Sequence, residues 1–331
     1  MKITLIGSKQ SKRTEYFKKA AEEKNVTLSI FEWDEVEALC GVDLQRAVMK
    51  IDPPSYSTCT LEEMEGQLCL YRNRLQKLEA IGAHFLNSPT AICQTLDKRN
   101  CKLQLQETGI PVTKMLLDRV TNVEQLITWM EENKVFSVFI KPAFFSGAAG
   151  VVALRLQPRT KKMMAYTSCK LVNGVLMNTK TLYCLQDSKE IVNLLQDILA
   201  FDVIVERWYP KSVFHGKSYD LRVVYQFGHI VHIVVRGSKG PVTNLHLNNQ
   251  AMDIKALGLK QELLDEIEAI CGDALDVFPG LSMAGLDILI EKNSQKPYII
   301  EMNGQGDLIY QDIYNDNKIY KEQIRRVLCR R

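Results

Sequence analysis

Two apolar stretches near the carboxyl end carry acids where a buried strand has no place for them. These are Gly285-Leu286-Asp287, which runs on into Ile288-Leu289-Ile290-Glu291, and Ile300-Glu301-Met302-Asn303. Both read as strands, over residues 287–291 and 298–302. A carboxylate withdrawn from water is costly unless cations or donors meet it, so the fold has to bring compensating groups to these two strands. Side chains alternate across a strand, and Glu301 and Asn303 therefore share a face. With Asp287 they supply three hard oxygen donors, the kind of set that one or two magnesium ions take. Taken singly, either segment also fits a carboxylate capped by backbone N–H groups at a strand end.

The 331 residues exceed one average domain, and 46% of them are hydrophobic, enough for two or three packed domains. The 42 Lys and Arg nearly cancel the 39 Asp and Glu, leaving +3. That field is too weak to argue for a nucleic-acid or membrane partner, so any anion site must be local. Nine cysteines, at 40, 59, 69, 93, 101, 169, 184, 271 and 329, include no Cys-x-x-Cys pair, and the five histidines are scattered. Free structural thiols in a reducing cytosol are expected, in place of a disulfide framework or a zinc site. The apolar run at the amino terminus gives way within a few residues to Ser8-Lys9-Gln10-Ser11-Lys12-Arg13, so neither a secretory signal nor a spanning helix is expected and the localisation is read as cytoplasmic.

Residues 2–7 read as a buried strand, 14–23 as a helix with Tyr16, Phe17, Ala20 and Ala21 on one face, and 27–31 as a second strand. This is an open α/β beginning, but Gly7 stands alone without a Gly-x-Gly-x-x-Gly fingerprint, and no dinucleotide site is read there. Residues 41–60, with Pro53-Pro54-Ser55-Tyr56-Ser57, read as a loop, 62–80 as a helix, and Phe85-Leu86-Asn87-Ser88-Pro89 as the close of a first domain. Asp97-Lys98 opens a helix that stops at Thr108-Gly109-Ile110-Pro111. A helix over 123–132, strands over 135–140 and 151–156, later strands over 203–206, 222–226 and 229–235, and a helix over 261–277 follow. The expected domains are 1–95, 96–200 and 201–331.

Two further segments carry chemistry. Phe139-Ile140-Lys141-Pro142 ends a strand in a lysine before the small-residue loop Ser146-Gly147-Ala148-Ala149-Gly150. Backbone N–H groups can approach phosphate oxygens in such a loop while the lysine adds a point charge, although an ordinary hairpin reads the same way, and no Walker motif is present. In Ser218-Tyr219-Asp220-Leu221-Arg222, Asp220 and Arg222 share a face, and after a turn at Phe227-Gly228 the chain returns with Arg236. Cations would then sit beside the strand carboxylates, where a transferred phosphoryl group develops charge. A surface ion pair is the other reading.

In chain order, the sequence shows Asp97-Lys98, Gly109-Ile110-Pro111, Ile140-Lys141, the loop to Gly150, Ile204-Val205-Glu206-Arg207-Trp208-Tyr209, Asp220-x-Arg222, Arg236, Asn244, Gly285-x-Asp287 and Glu301-x-Asn303. From about residue 87 to 304 this series resembles the ATP-grasp superfamily, and within it the RimK-like carboxylate-amine ligases. The resemblance implies α/β and α+β architecture, an ATP-grasp fold preceded by an open α/β domain. It implies Lys98, Lys141, Ser146, Gly147 and Gly150 at the phosphates, Glu206 on the adenine amino group, Arg207, Trp208 and Tyr209 as the hinge, and Asp220 and Asn244 lining the nucleotide site. Asp287, Glu301 and Asn303 match ligands of Mg2+, or Mn2+ in its place, and Arg222 and Arg236 match catalytic cations that neutralise the acyl phosphate. The implied reaction is ATP-dependent amide formation between a small-molecule or peptide carboxylate and an amine. A small-molecule kinase and a non-catalytic ATP-binding regulator are the alternatives, and a homo-oligomer is left open. Where relatives commonly show Pro-Gly and Gly-Gly, this chain has Gly304-Gln305-Gly306-Asp307 and Asn248-Asn249 on the substrate side.

Overall fold

The computed structural model describes residues 2–39, 47–55 and 60–329. The chain opens as β1 (Lys2–Ile6), α1 (Lys12–Glu22), β2 (Thr27–Phe31), β3 (Ala47–Ile51), α2 (Leu61–Glu79) and β4 (His84–Phe85). These strands form a parallel sheet in the order β2-β1-β3-β4. The Ser11 hydroxyl accepts from Thr14 N–H and so starts α1. The loop read over 41–60 is interrupted by β3, in which every residue is buried. Lys50, its fourth residue, masks the apolar run that a parallel strand normally shows. Tyr56 and Ser57, with Cys40 and Cys59, lie outside the described residues.

The second sheet gathers β5 (Met115–Leu117), β6 (Ser137–Pro142), β7 (Val152–Leu156), β8 (Met163–Val172), β9 (Val175–Leu185) and β10 (Val203–Arg207), all antiparallel, in the order β5-β10-β6-β7-β8-β9. The preceding helices α3 (Pro89–Leu96) and α4 (Lys98–Glu107) are capped by Ser88 and Asp97. Within this region α5 (Val123–Glu132) and α6 (Ser188–Ile198) bury Leu126, Met130, Ile191 and Leu195 against the sheet. The third sheet takes β11 (Val213–Phe214), β12 (Lys217–Gln226), β13 (His229–Ser238), β14 (Gln250–Met252), β15 (Met283–Ile290) and β16 (Pro297–Asn303), in the order β14-β13-β12-β15-β16 with β11 beside β12. The expected hairpin turns at Phe227 and Gly228, both at positive φ (54° and 95°), as a tight reversal of twisted strands requires. Helix α7 (Gln261–Asp276) covers this sheet with Ile267, Cys271 and Ala274.

Sheet membership does not follow the expected domain boundaries. Ala91, Cys101 and Leu105 of α3 and α4 pack into the core of the third sheet, so the cut at 95/96 falls inside α3, in a helix pair that shares this core. The cut at 200/201 falls before β10, which lies between β5 and β6. At the end of the chain, α8 (Tyr310–Ile313) and α9 (Lys318–Leu328) return to the first sheet, where Tyr320 meets Phe17 edge-on at 5.9 Å. Helix α2 straddles two cores: Leu61 and Leu68 pack under the second sheet, and Tyr71, Leu75 and Leu78 under the first. Among the described residues, no helix is long and apolar enough to cross a membrane, and the seven described cysteines are free.

Candidate active site

The register of the third sheet lines up its charges. Asp220 on β12 stands opposite Arg236 on β13, Arg222 opposite Asp287 on β15, and Asp287 opposite Glu301 on β16. Directly paired residues project to one face, so four adjacent strands present a single charged row. Arg236 donates from Nε to Asp220 Oδ1 at 2.7 Å and brings Nη2 to 3.0 Å from Asp287 Oδ2. Arg222 donates from Nη1 to the other Asp287 oxygen at 2.5 Å and from Nε to Asp307 at 2.9 Å. Lys211 closes the group, donating to Asp220 at 3.0 Å and to Thr243 at 2.7 Å. Burial works against ionisation of Asp220 and Asp287, but their cations outweigh it and hold both carboxyls below the usual range. Gly285 is needed for this packing, because a Cβ there would stand 2.2 Å from Asp307 Oδ2.

The facing wall belongs to the second sheet. Glu206, near the end of β10, is 2% exposed. Its Oε2 accepts from Lys141 Nζ at 2.9 Å and from Thr113 Oγ1 at 2.8 Å, and lies 3.0 Å from Lys102 Nζ. Burial opposes the charge on Glu206, yet Lys102 and Lys141 together hold its pKa at about 2. Two ammoniums share that one carboxylate, and burial pulls Lys102 down to about 8 in spite of it. Oε1 of Glu206 is buried and has no hydrogen-bond partner. Such an atom fits a ligand that brings an N–H donor. Between the walls lies a half-open cleft of mixed polar and apolar lining, the character of a small-molecule site. It is lined by Lys141, Glu206, Arg207, Tyr209, Asp220, Arg236, Asn244, Asp287 and Glu301, with Phe139, Val151, Leu289 and Ile300 supplying apolar surface.

No protein-family model matches the sequence, and a search of curated proteins returns no match. Solved structures do match over nearly the whole chain. The D-cycloserine synthetase DcsG aligns with a TM-score of 0.62 and 14% identity over 98% of both chains. The macrocyclase MdnC from Microcystis aeruginosa MRC, bound with precursor peptide MdnA, aligns at 0.63 with 13% identity over 99% of both. The ATP-grasp ligase PsnB, complexed with minimal precursor, Mg and ADP, aligns at 0.60 with 14% identity over 98% of this chain and 97% of that one. The fold is that of the ATP-grasp ligases.

Within this ATP-grasp fold, several of the residues expected at the site lie off the cleft surface. Lys98 lies behind Glu301, 3.4 Å from its Oε1, and donates to the Phe145 carbonyl. In the loop after β6, Ser146 is exposed, and its carbonyl accepts from Ala149 N–H at 3.2 Å. Gly147 and Gly150 take positive φ, and a Cβ on Gly150 would stand 2.5 Å from Pro142 Cγ. Ala148, between them, faces the cleft. Trp208 packs on Phe139 and Tyr166 under the Arg155 guanidinium. In the hinge, Arg207 N–H donates to Lys114 O and Trp208 N–H to Ser137 O, so these two N–H groups are committed within the sheet and not free for a base edge. Glu206 likewise departs from a carboxylate free to meet adenine, since Oε2 serves the lysines and Oε1 alone is open.

The expected metal set is aligned but not gathered. Asp287 faces Glu301 and Gly285 faces Asn303 across β15 and β16, which puts Asn303 two residues along the same face. Both Asp287 oxygens are held by arginines, and among the described residues no group of three or more His, Cys, Asp or Glu is placed to hold a metal. The donors are hard oxygens, which suits a cation that arrives with phosphate and takes one or two carboxylates from the protein. Asn244 caps the short helical turn at 245–247 through His246 N–H, and Asn249 donates to the Val242 and Asn244 carbonyls. Asn248, at φ 57°, takes the left-handed conformation that asparagine tolerates, which accounts for Asn-Asn in a tight loop. The sequence reading missed Lys102, Thr113, Lys211 and Thr243. Lys102 had a signal, since it follows Lys98 by one helical turn and shares its face.

Proposed function

We propose that the protein is an ATP- and magnesium-dependent ligase that activates a carboxylate and joins it to an amine. The observation that carries this reading is the charged row of the third sheet: Asp220, Arg236, Asp287 and Glu301 face Lys141 and Glu206 across the cleft, and Arg222 pairs with Asp287 in the same row. Phosphoryl transfer asks for positioning and charge neutralisation more than for a protein nucleophile. The open Oε1 of Glu206 would accept from an exocyclic amine such as that of adenine, and Lys141 would face phosphate. Bound Mg2+, held through Asp287, Glu301 and Asn303, would neutralise phosphate charge.

A substrate carboxylate oxygen attacks the γ-phosphorus of ATP, the bond to the leaving phosphate oxygen breaks, and ADP departs. The amine then adds to the activated carbonyl carbon, loses a proton and expels inorganic phosphate. Arg236 would stabilise the oxyanion of that addition, and its ion pairs with Asp220 and Asp287, which fix the guanidinium on two sides, support that role. The fold of MdnC and PsnB, both solved with precursor peptides, supports testing peptides beside free amino acids. The test incubates the pure protein with ATP, Mg2+, pooled amino acids and peptides, and hydroxylamine. A hydroxamate formed together with ADP is the expected result. A phosphorylated product without hydroxamate would replace the reading with a kinase, and tight nucleotide binding without turnover of any pool would replace it with a regulator.

A further inference from the structure

Arg13 has no salt bridge and no hydrogen bond to its side chain among the described residues. It is the second residue of α1, which begins just after β1 ends, so it stands over the carboxyl edge of the parallel sheet. That edge is where open α/β sheets hold ligands. Its Nη1 reaches to 4.0 Å from the position a Gly306 Cβ would take, in the loop that leads from β16 to Asp307. Nη1 is buried and without a partner. Of the acids around it, Asp307 accepts from Arg222, and Asp52 accepts from Lys50 through Oδ1, while its Oδ2 is buried without a hydrogen-bond partner. Lys102, Lys141, Lys211, Arg222 and Arg236 each lie beside a carboxylate, whereas Arg13 does not. A buried guanidinium atom without a counter-ion is costly unless an anion arrives from outside the chain.

Other groups on this side of the molecule add to the positive field. Asn248 donates to the Lys180 carbonyl at 3.2 Å, bringing that exposed lysine of β9 against the 242–249 loop. In the same loop, His246 approaches the second sheet, its Cδ2 3.9 Å from the position of a Gly147 Cβ. Burial first, and then the charges of Arg222, Lys180, Arg236 and Arg13, lower the His246 pKa.

We propose that Arg13 anchors a second carboxylate of the substrate, so that the ligase takes a dicarboxylic acid, one carboxylate reacting and the other held at the edge of the first sheet. This inference rests on the ligase reading above. The planar guanidinium fork suits a carboxylate. The test measures binding by titration calorimetry in the presence of ADP and Mg2+. The probes are aspartate, glutamate, succinate and glutarate, each against its half-amide asparagine, glutamine, succinamate or glutaramate. At least one di-acid should bind the wild type roughly tenfold tighter than its half-amide, as loss of a charge-assisted pair predicts. Arg13→Gln should abolish that preference, and Arg13→Lys should keep part of it, with ADP affinity unchanged in both. A preference that survives in Arg13→Gln, or its absence in the wild type while ADP binds, overturns the Arg13 site alone. Failure of the wild type to bind ADP overturns the ligase reading and this site with it.

Discussion

Replacing Glu206 by Gln removes one negative charge from between two buried ammoniums and changes little else in shape. In the folded chain its pKa is about 2, against an ordinary 4.5. That difference is worth about 3 kcal/mol of stability. The folded carboxyl is the stronger acid, so this stability is present in full above pH 4.5. It is lost as the pH falls towards 2, because the unfolded chain binds the proton first. At neutral pH the variant leaves Lys102 and Lys141 without their shared counter-ion, a loss of about 3–5 kcal/mol by comparison with other broken buried pairs. Lys102, already down at about 8 by burial, should drop further and shed its proton near neutrality. Urea unfolding at pH 7 should report the full loss. The double variant with Lys102→Met should recover at least half, since one uncompensated charge is gone. The acid limb of the stability profile between pH 4.5 and 2 should be flatter in Glu206→Gln than in the wild type. A single variant within about 1 kcal/mol of wild type, with an unchanged acid limb, would refute the claim that this carboxylate is the electrostatic centre of the wall.

Lys141→Ala should weaken binding of a non-hydrolysable ATP analogue roughly ten- to a hundredfold by calorimetry, and unchanged affinity would return Lys141 to a purely structural pairing with Glu206. Arg236→Lys keeps a charge for Asp220 but loses the reach to Asp287; hydroxamate formation should fall by roughly two to three orders of magnitude at little-changed nucleotide affinity, and a rate near wild type would remove Arg236 from the reacting centre. Gly285→Ala pushes a methyl group into the Arg222–Asp307 pair and should cost about 1–3 kcal/mol in thermal unfolding, whereas an unaffected melting temperature would mean that the pair is free to shift.

The hairpin with Asp220, Arg222 and Arg236 and the acids of β15 and β16 could be read from the sequence because strand alternation and a tight turn decide them locally. Strand β3 could not, since Lys50 breaks its pattern and its compensation comes from Asp52 and the rings of Phe17 and Tyr320. The hairpin of β8 and β9 was hidden for a related reason: β9 carries Asn178-Thr179-Lys180-Thr181, without the alternation of a half-buried strand. At the site the acids were visible but their partners were not. Asp307 stood out as a departure from relatives, and its role as counter-ion to Arg222 depends on a contact between residues far apart in the chain. The resemblance gives Glu206 to the adenine amine, and nothing local shows that Lys102 and Lys141 also converge on it.

Helix α2 has Leu61 and Leu68 in one core and Tyr71, Leu75 and Leu78 in another. A helix of 19 residues is stiff, so it behaves as an axle fixed at both ends. The second sheet cannot swing away from the third without levering the first sheet with it, or tearing Leu61 and Leu68 out of their packing. The first sheet in turn shares a core with Val224, Val234 and Met283 of the third, so widening the cleft strains the grip of α2 at one end or the other, and the helix acts as a brake on opening.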